Sequence, residues 1–422
     1  MKKIAKISLV AAIAVAGLTT ANAQPLEEAI KGVDVTGSVV YRYNDTQNNA
    51  LVAQSNANTV NNNNYKIGLN LSSKVNDDVK FNSRFLVADM ETSGNFAPLD
   101  ASSTNDTNVS VQLSQANFAY TGIKNTTVTV GKQGLATPYT VATAIDENEQ
   151  NGTGILALSA IGPVTLGGAY FNQTNLNTGN STSTNDAAVY NTLNSVSRDR
   201  ANIGNADIGA LAVIVAAGPV TADAWYLNLQ DTFSTYTVGA KSEFKVGAAT
   251  LGFDARYAAL QLDDRINETL GTNERLDQII KLAVTAKAGI VSGKIAYAAT
   301  GNDGGITGLD SDATTVAKGW SLNTLNKADA EYWQAVVGVD ILSNLNLSAN
   351  YGNLQSGGSG SLATSSVDEE EYYAQLTYKM SKNLSTYVRY GMYSNETLAK
   401  GATQKVETAD STQGRLQVAY TF

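Results

Sequence analysis

Along most of this chain apolar and polar residues alternate with a period of two, the spacing at which successive strand side chains point to opposite faces. In VDVTGSVVYRY, Val33, Val35, Gly37, Val39, Tyr41 and Tyr43 share one parity, while Asp34, Thr36, Ser38 and Arg42 take the other. YKIGLNLSSKV sets Tyr65, Ile67, Leu69 and Leu71 against Lys66, Asn70 and Lys74. VKFNSRFLV sets Phe81 and Phe85 against Lys80 and Arg84. The chain ends in the same way, with Leu416, Val418, Tyr420 and Phe422 opposed to Arg415, Gln417 and Thr421. Chain ends are usually polar and frayed, so a terminal aromatic strand asks for a partner. Two stretches, Gly154 to Gly162 and Ile208 to Gly218, are apolar on both parities, as strands packed against a second surface would be. In VSVQLSQANFAYT the apolar phase slips between Leu113 and Ala116, which predicts a bulge.

The connections alternate as well. Asn76 to Asp78, Ile161 to Pro163, Ala217 to Pro219, Leu342 to Asn344 and Ser381 to Asn383 are short and rich in turn formers. Between them lie long polar loops, such as Thr174 to Ala206 and Gly301 to Glu331. Counting paired runs predicts 18 strands, eight short turns and nine long connections. Short turns on one rim and long loops on the other predict an all-β fold, a transmembrane antiparallel β-barrel with its closing strand beside its first. A soluble sandwich also alternates, and the charges discriminate between the two. Thirteen basic and five acidic side chains fall within the strands, all on the non-apolar parity. Water inside a barrel hydrates such a wall while the apolar face meets lipid. Tyr41, Tyr43, Tyr65, Tyr297, Tyr351, Tyr372 and Tyr390 lie near strand ends on the apolar parity, where an interfacial girdle would be.

The N-terminus, MKKIAKISLVAAIAVAGLTTANA, has a basic start, a short apolar run and an Ala-Asn-Ala ending. It predicts a cleaved signal peptide over residues 1–23 and one barrel domain over 24–422. The leader removes three of 29 Lys and Arg, so the mature chain carries 26 against 38 Asp and Glu, a net of −12. An acidic exported chain is a poor partner for nucleic acid. The sequence has no cysteine and no histidine. That excludes a disulfide framework, thiolate or imidazole metal ligation and Ser-His-Asp catalysis. No stretch after the leader reaches the roughly 20 apolar residues of a transmembrane helix.

Opposite charges on wall and loops supply the candidate chemistry. The wall is a net +8, and the rest of the mature chain −20. Closure brings the last two strands beside the first three, gathering Arg389, Arg415, Arg42, Lys66 and Arg84 on one sector. The connection after the fifth strand, residues 134–153, holds Asp146, Glu147 and Glu149 and no basic residue. Folded into the lumen, it would oppose carboxylates to that basic sector and set a transverse field. Asp303, Asp310 and Asp312 are weak candidates for a divalent cation, and a solvated acidic loop explains them better. No phosphate-binding loop occurs, and no cofactor is expected.

The segments QPLEEAIKGVDVTGSVVYRY, VGKQGLATPYT and LQVAYTF resemble the Campylobacter-type major outer membrane protein family of porins. The resemblance spans the mature chain, with divergent long loops. It implies an 18-stranded barrel, usually a homotrimer, that passes ions and small hydrophilic solutes through the bacterial outer membrane. It also implies a third loop constricting the pore, here Asp146, Glu147 and Glu149, and contact with lipid and lipopolysaccharide. A terminal aromatic such as Phe422, with Tyr420, would be the signal read by the barrel-assembly machinery. A passive porin with a weak cation preference is the leading expectation. The alternatives are a substrate-specific channel with a basic ladder for carboxylate-bearing solutes, an adhesin or structural barrel, and, last, a hydrolase. No enzyme activity is expected.

Overall fold

In the computed structural model eighteen long strands follow one another around a single closed sheet. They are β1 (Val33–Asn48), β2 (Thr59–Lys74), β3 (Val79–Val87), β4 (Val111–Ile123), β5 (Thr126–Gly134) and β6 (Asn151–Ile161). Next come β7 (Val164–Thr174), β8 (Ile208–Ala217), β9 (Val220–Leu229), β10 (Phe233–Val246), β11 (Ala249–Leu262) and β12 (Leu276–Ala288). The circuit ends with β13 (Val291–Thr300), β14 (Glu331–Leu342), β15 (Leu345–Ser356), β16 (Ser365–Lys379), β17 (Leu384–Ala399) and β18 (Val406–Thr421). The structure describes residues 32–49, 59–88, 96–99, 110–176, 184–194, 203–270, 275–357, 365–399 and 401–422. The leader and the QPLEEAIK segment lie outside the described residues.

Each strand runs antiparallel to its chain neighbours, and β18 returns to β1 in register from Ser38↔Thr421 to Asn48↔Ser411. At the seam the Gly37 N–H donates to the Phe422 carbonyl at 2.9 Å, and the Phe422 N–H donates back at 3.0 Å. The aromatic end of the sequence is the closing strand. Eight short turns join the strands at one rim, and five of them take a positive φ, at Asn125, Gly162, Gly218, Gly247 and Gly289. A two-residue hairpin loop needs that conformation to match the strand twist. The slipped phase in β4 is a bulge. Arg84 pairs with Gln115 and Phe85 with Leu113, so Ser114 is left over and turns inward.

The faces are inverted relative to a soluble protein. Val39, Phe118, Val130, Leu211, Val238, Ile295, Val388 and Tyr390 are exposed on the outside, while Arg42, Lys66 and Arg84 are buried on the inside. A continuous apolar exterior around a charged interior is stable in lipid. The strands run further toward the long-loop rim than alternation alone marks, and so bring Asp277, Glu369 and Glu371 onto the buried inner face. The inner wall is therefore less positive than the sequence count.

The buried apolar core is made largely by connections that fill the barrel mouth. Leu135 and Tyr139 after β5, Val189, Tyr190 and Leu193 of α1 (Thr184–Asn194), and Ile266 of α2 (Asp264–Leu270) join one cluster. The connection over residues 301–330 adds Ile306, Leu309, Val316, Leu322 and Leu325. Its apolar residues are spaced closely enough to fold over the barrel, which its overall polarity conceals.

Candidate functional site: a charged cavity between two infolded loops

The first loop, residues 135–150, is tied down by groups that its sequence neighbours do not reveal. Lys66, fully buried on β2, donates from Nζ to the Ala144 carbonyl at 2.8 Å and to the Glu147 carbonyl, and lies 3.5 Å from Glu149 Oε1. Glu149 is equally buried and receives Arg84 Nη2 at 2.6 Å, Arg84 Nε at 2.9 Å and the bulged Ser114 hydroxyl at 3.0 Å. Arg84 reaches Asn70 with its remaining nitrogen at 2.7 Å. Two cations and one carboxylate in low dielectric hold because each polar atom has a partner. Lys66, Arg84 and Glu149, three of the residues expected at the narrowest point, are therefore anchors beneath the loop.

The other five meet. A cavity of about 500 Å³ is lined by Arg42, Arg389 and Arg415 from the wall and by Asp146 and Glu147 from the first loop. The second loop, residues 301–330, contributes Asp312, Lys318 and Trp320, which no sequence signal marks as pore residues. It docks on the first: the Leu309 N–H donates to the Tyr139 carbonyl at 2.8 Å, and the Thr315 N–H to the Pro138 carbonyl at 3.1 Å. On the far side Glu371 accepts the backbone N–H groups of Trp320 at 2.8 Å, Ser321 at 2.6 Å and Leu322 at 3.2 Å. That clamp fixes the indole over the basic sector.

Two electrostatic patterns result. Arg42 bridges wall and loop, with Nε on Gln417 at 2.7 Å, Nη2 on Asp146 at 3.1 Å, and its plane 4.2 Å above Phe96. Arg389 lies 4.8 Å from the Tyr373 ring centre, 4.9 Å from Trp320 and 5.2 Å from Tyr387, and Arg415 is 5.5 Å from Trp320. Aromatic faces attract guanidinium groups without neutralising them, so this side stays positive. On the loop side burial pushes the Glu147 carboxyl up to about 7; neighbouring Asp312 and Asp146 add to the rise, and Lys318 and Arg42 oppose it.

The acidic triplet that could have held a cation is not assembled. Asp312 pairs with Lys318, Asp310 accepts the Asp312 N–H at 2.7 Å, and Asp303 is exposed. Among the described residues no group of three or more carboxylates could hold a metal ion.

A closed barrel with a lipid-compatible exterior and a charged lumen narrowed by two loops defines a transmembrane β-barrel channel. Solved structures agree. OpdK of Pseudomonas aeruginosa is 15% identical, covers 92% of this chain and 99% of its own, and superposes with a TM-score of 0.66. OpdL of the same organism is 18% identical over 92% and 99% of the two chains, with a TM-score of 0.64. OccK2 (OpdF), solved in complex with glucuronate, is 13% identical over 92% and 98%, also at 0.64. No curated protein matches the chain in sequence. The chain belongs to the family of the Campylobacter major outer membrane protein, which it matches over residues 1–422. It is an outer-membrane porin.

Proposed function

We propose that the cavity between the two loops is the constriction of the pore, that solutes pass it by diffusion without chemical change, and that the channel weakly prefers cations. The carrying observation is the opposition of Asp146, Glu147 and Asp312 to Arg42, Arg389 and Arg415 around one cavity of about 500 Å³. Such a field orients dipolar solutes and disfavours apolar ones. The cation preference has its source outside the cavity, in the acidic excess that gives the chain a net −9. A homotrimer in lipid and lipopolysaccharide, assembled through recognition of Tyr420 and Phe422, completes the reading.

The test is single-channel current in a planar bilayer under a salt gradient. Large stable steps with a reversal potential of cationic sign are expected. Asp146→Asn, Glu147→Gln and Asp312→Asn together should lower the cation-to-anion permeability ratio about twofold or more, a shift well under one kcal/mol. An unchanged ratio would remove these carboxyls from the ion path. Correctly folded barrels that never conduct would sink the diffusion reading.

One observation favours a second reading. Arg389 and Arg415, each beside the Trp320 ring, form a flat cationic surface suited to a planar carboxylate. Two structural neighbours were solved with carboxylates, OpdK with vanillate and OccK2 with glucuronate. Saturable block of the current by a carboxylate, lost in Trp320→Ala, would favour a substrate-specific channel.

A further inference from the structure

The charged constriction leaves out the opposite wall of the lumen, β6 to β9, of which β6 and β8 are apolar on both faces. Their register aligns inward side chains in rows across four strands. One row reads Leu158↔Gly167↔Ala212↔Trp225, and the next reads Leu156↔Ala169↔Ala210↔Leu227. Each row is large at its ends and small in its middle. Two such rows make a trough whose floor is β7 and β8 and whose sides are β6 and β9. A Cβ added at Gly167 would come within 3.2 Å of both Ala212 and Leu158, so the floor is already packed to its smallest residue. Across the trough the backbones of β6 and β9 stand about 14 Å apart, three strand spacings.

Ala136 and Thr137 of the first loop roof part of the trough, Phe171 closes one end, and the enclosed space is about 310 Å³. None of its lining residues is charged. Leu158 nevertheless remains 39% exposed on this inward face. The Trp225 indole N–H enters no hydrogen bond among the described residues and supplies one polar handle at the trough's side. Small-molecule sites combine an apolar concavity with a few placed polar groups. We infer that this trough is a second binding site in the channel, distinct from the constriction, for an uncharged planar aromatic solute bearing a hydrogen-bond acceptor. The ring lies on Gly167 and Ala212 between Leu158 and Trp225. A carboxylate is disfavoured: no lining residue is charged, and the Arg256 guanidinium beside the next row is already held by Asp223 at 2.7 and 2.9 Å.

The absence of cysteine allows a direct test. Thr165, in the row beyond Leu158 and Gly167, lines the trough, and Thr285 lines the lumen over another sector. Thr165→Cys and Thr285→Cys barrels are labelled with a small membrane-impermeant thiosulfonate, with phenol and benzoate as probes. Phenol should slow labelling of the Thr165→Cys barrel about tenfold when present at ten times its dissociation constant. It should leave the Thr285→Cys barrel unchanged, and benzoate should protect neither. Adding Leu158→Asn should abolish the protection. Equal effects of phenol on both variants would overturn the inference. So would protection by benzoate as good as by phenol, or a Thr165→Cys thiol that stays inert in folded barrels while the Thr285→Cys thiol reacts. Protection by phenol in barrels that carry no current would leave the site standing and remove the diffusion reading instead.

Discussion

At the scale of single residues the site divides its charges into anchors and pore groups, and the two kinds should respond differently to substitution. Glu149 is an anchor. Glu149→Gln leaves Arg84 and Lys66 buried with only a neutral acceptor between them, and removing one partner of a buried ion pair costs about 3 kcal/mol or more. The strand ladders should survive, so the expected effect is local: faster amide exchange across residues 135–150 and noisier current, with the barrel still folded. Glu147 lines the cavity and is a pore group on the proposed reading. Its carboxyl is raised to about 7, so it is charged above that value and neutral below it. The cation-to-anion permeability ratio should therefore fall as pH drops through the neutral range, and Glu147→Gln should remove that step. A ratio flat between about pH 8 and about pH 6 would contradict the placement of Glu147 on the ion path.

At the scale of elements, closure depends on one notch. A Cβ at Gly37 would stand 2.4 Å from the Gly68 carbonyl oxygen and 2.7 Å from the ring of Phe422. Gly37→Val should therefore strain both pairings of β1, at a cost of about 1–3 kcal/mol, and reduce the yield of barrels that keep compact migration in unheated gels. Phe422→Ala in that background should restore only part of the yield, because the Gly68 backbone contact remains. The strands are legible in the sequence alone. Period two, short turns and a single charged parity are local properties, and the slipped phase at Ser114 is enough to mark its bulge. The loops are not legible in the same way. The adjacency of β17, β18, β1 and β2 draws Asp146 toward the arginine sector, yet nothing in the sequence separates Glu147, beside the cavity, from Glu149, beneath the loop. That difference is made by Lys66, Arg84 and Ser114, which lie far from the loop in the chain. The second loop stays hidden when polarity is averaged over it. Ile306, Leu309, Val316, Leu322 and Leu325 stand in plain view, but their partner surface is another loop, and no periodicity announces contact between two irregular segments.

At the scale of the whole molecule the proposed ion preference has two charge layers as its source, which salt can separate. The cavity holds four cations, Arg42, Lys318, Arg389 and Arg415, against three carboxyls, Asp146, Glu147 and Asp312. Asp146 is paired with Arg42, Asp312 is paired with Lys318, and Glu147 is only partly ionised near neutrality. Locally the constriction therefore leans toward anions. The chain as a whole carries −9, and on the proposed reading that excess acts on ions from the mouth. Mouth charges act on ions over roughly a Debye length, about 10 Å at 0.1 M salt and about 3 Å at 1 M. Groups in the cavity, as the proposed constriction, would touch the permeating ion and be screened much less. The cation preference should accordingly be clear in dilute salt, shrink steadily, and vanish or turn slightly anionic near 1 M. Reversal potentials taken at a fixed concentration ratio across that range would decide it. A cation preference that persists unchanged into molar salt would place its source in the constriction and require that Glu147 be fully ionised there.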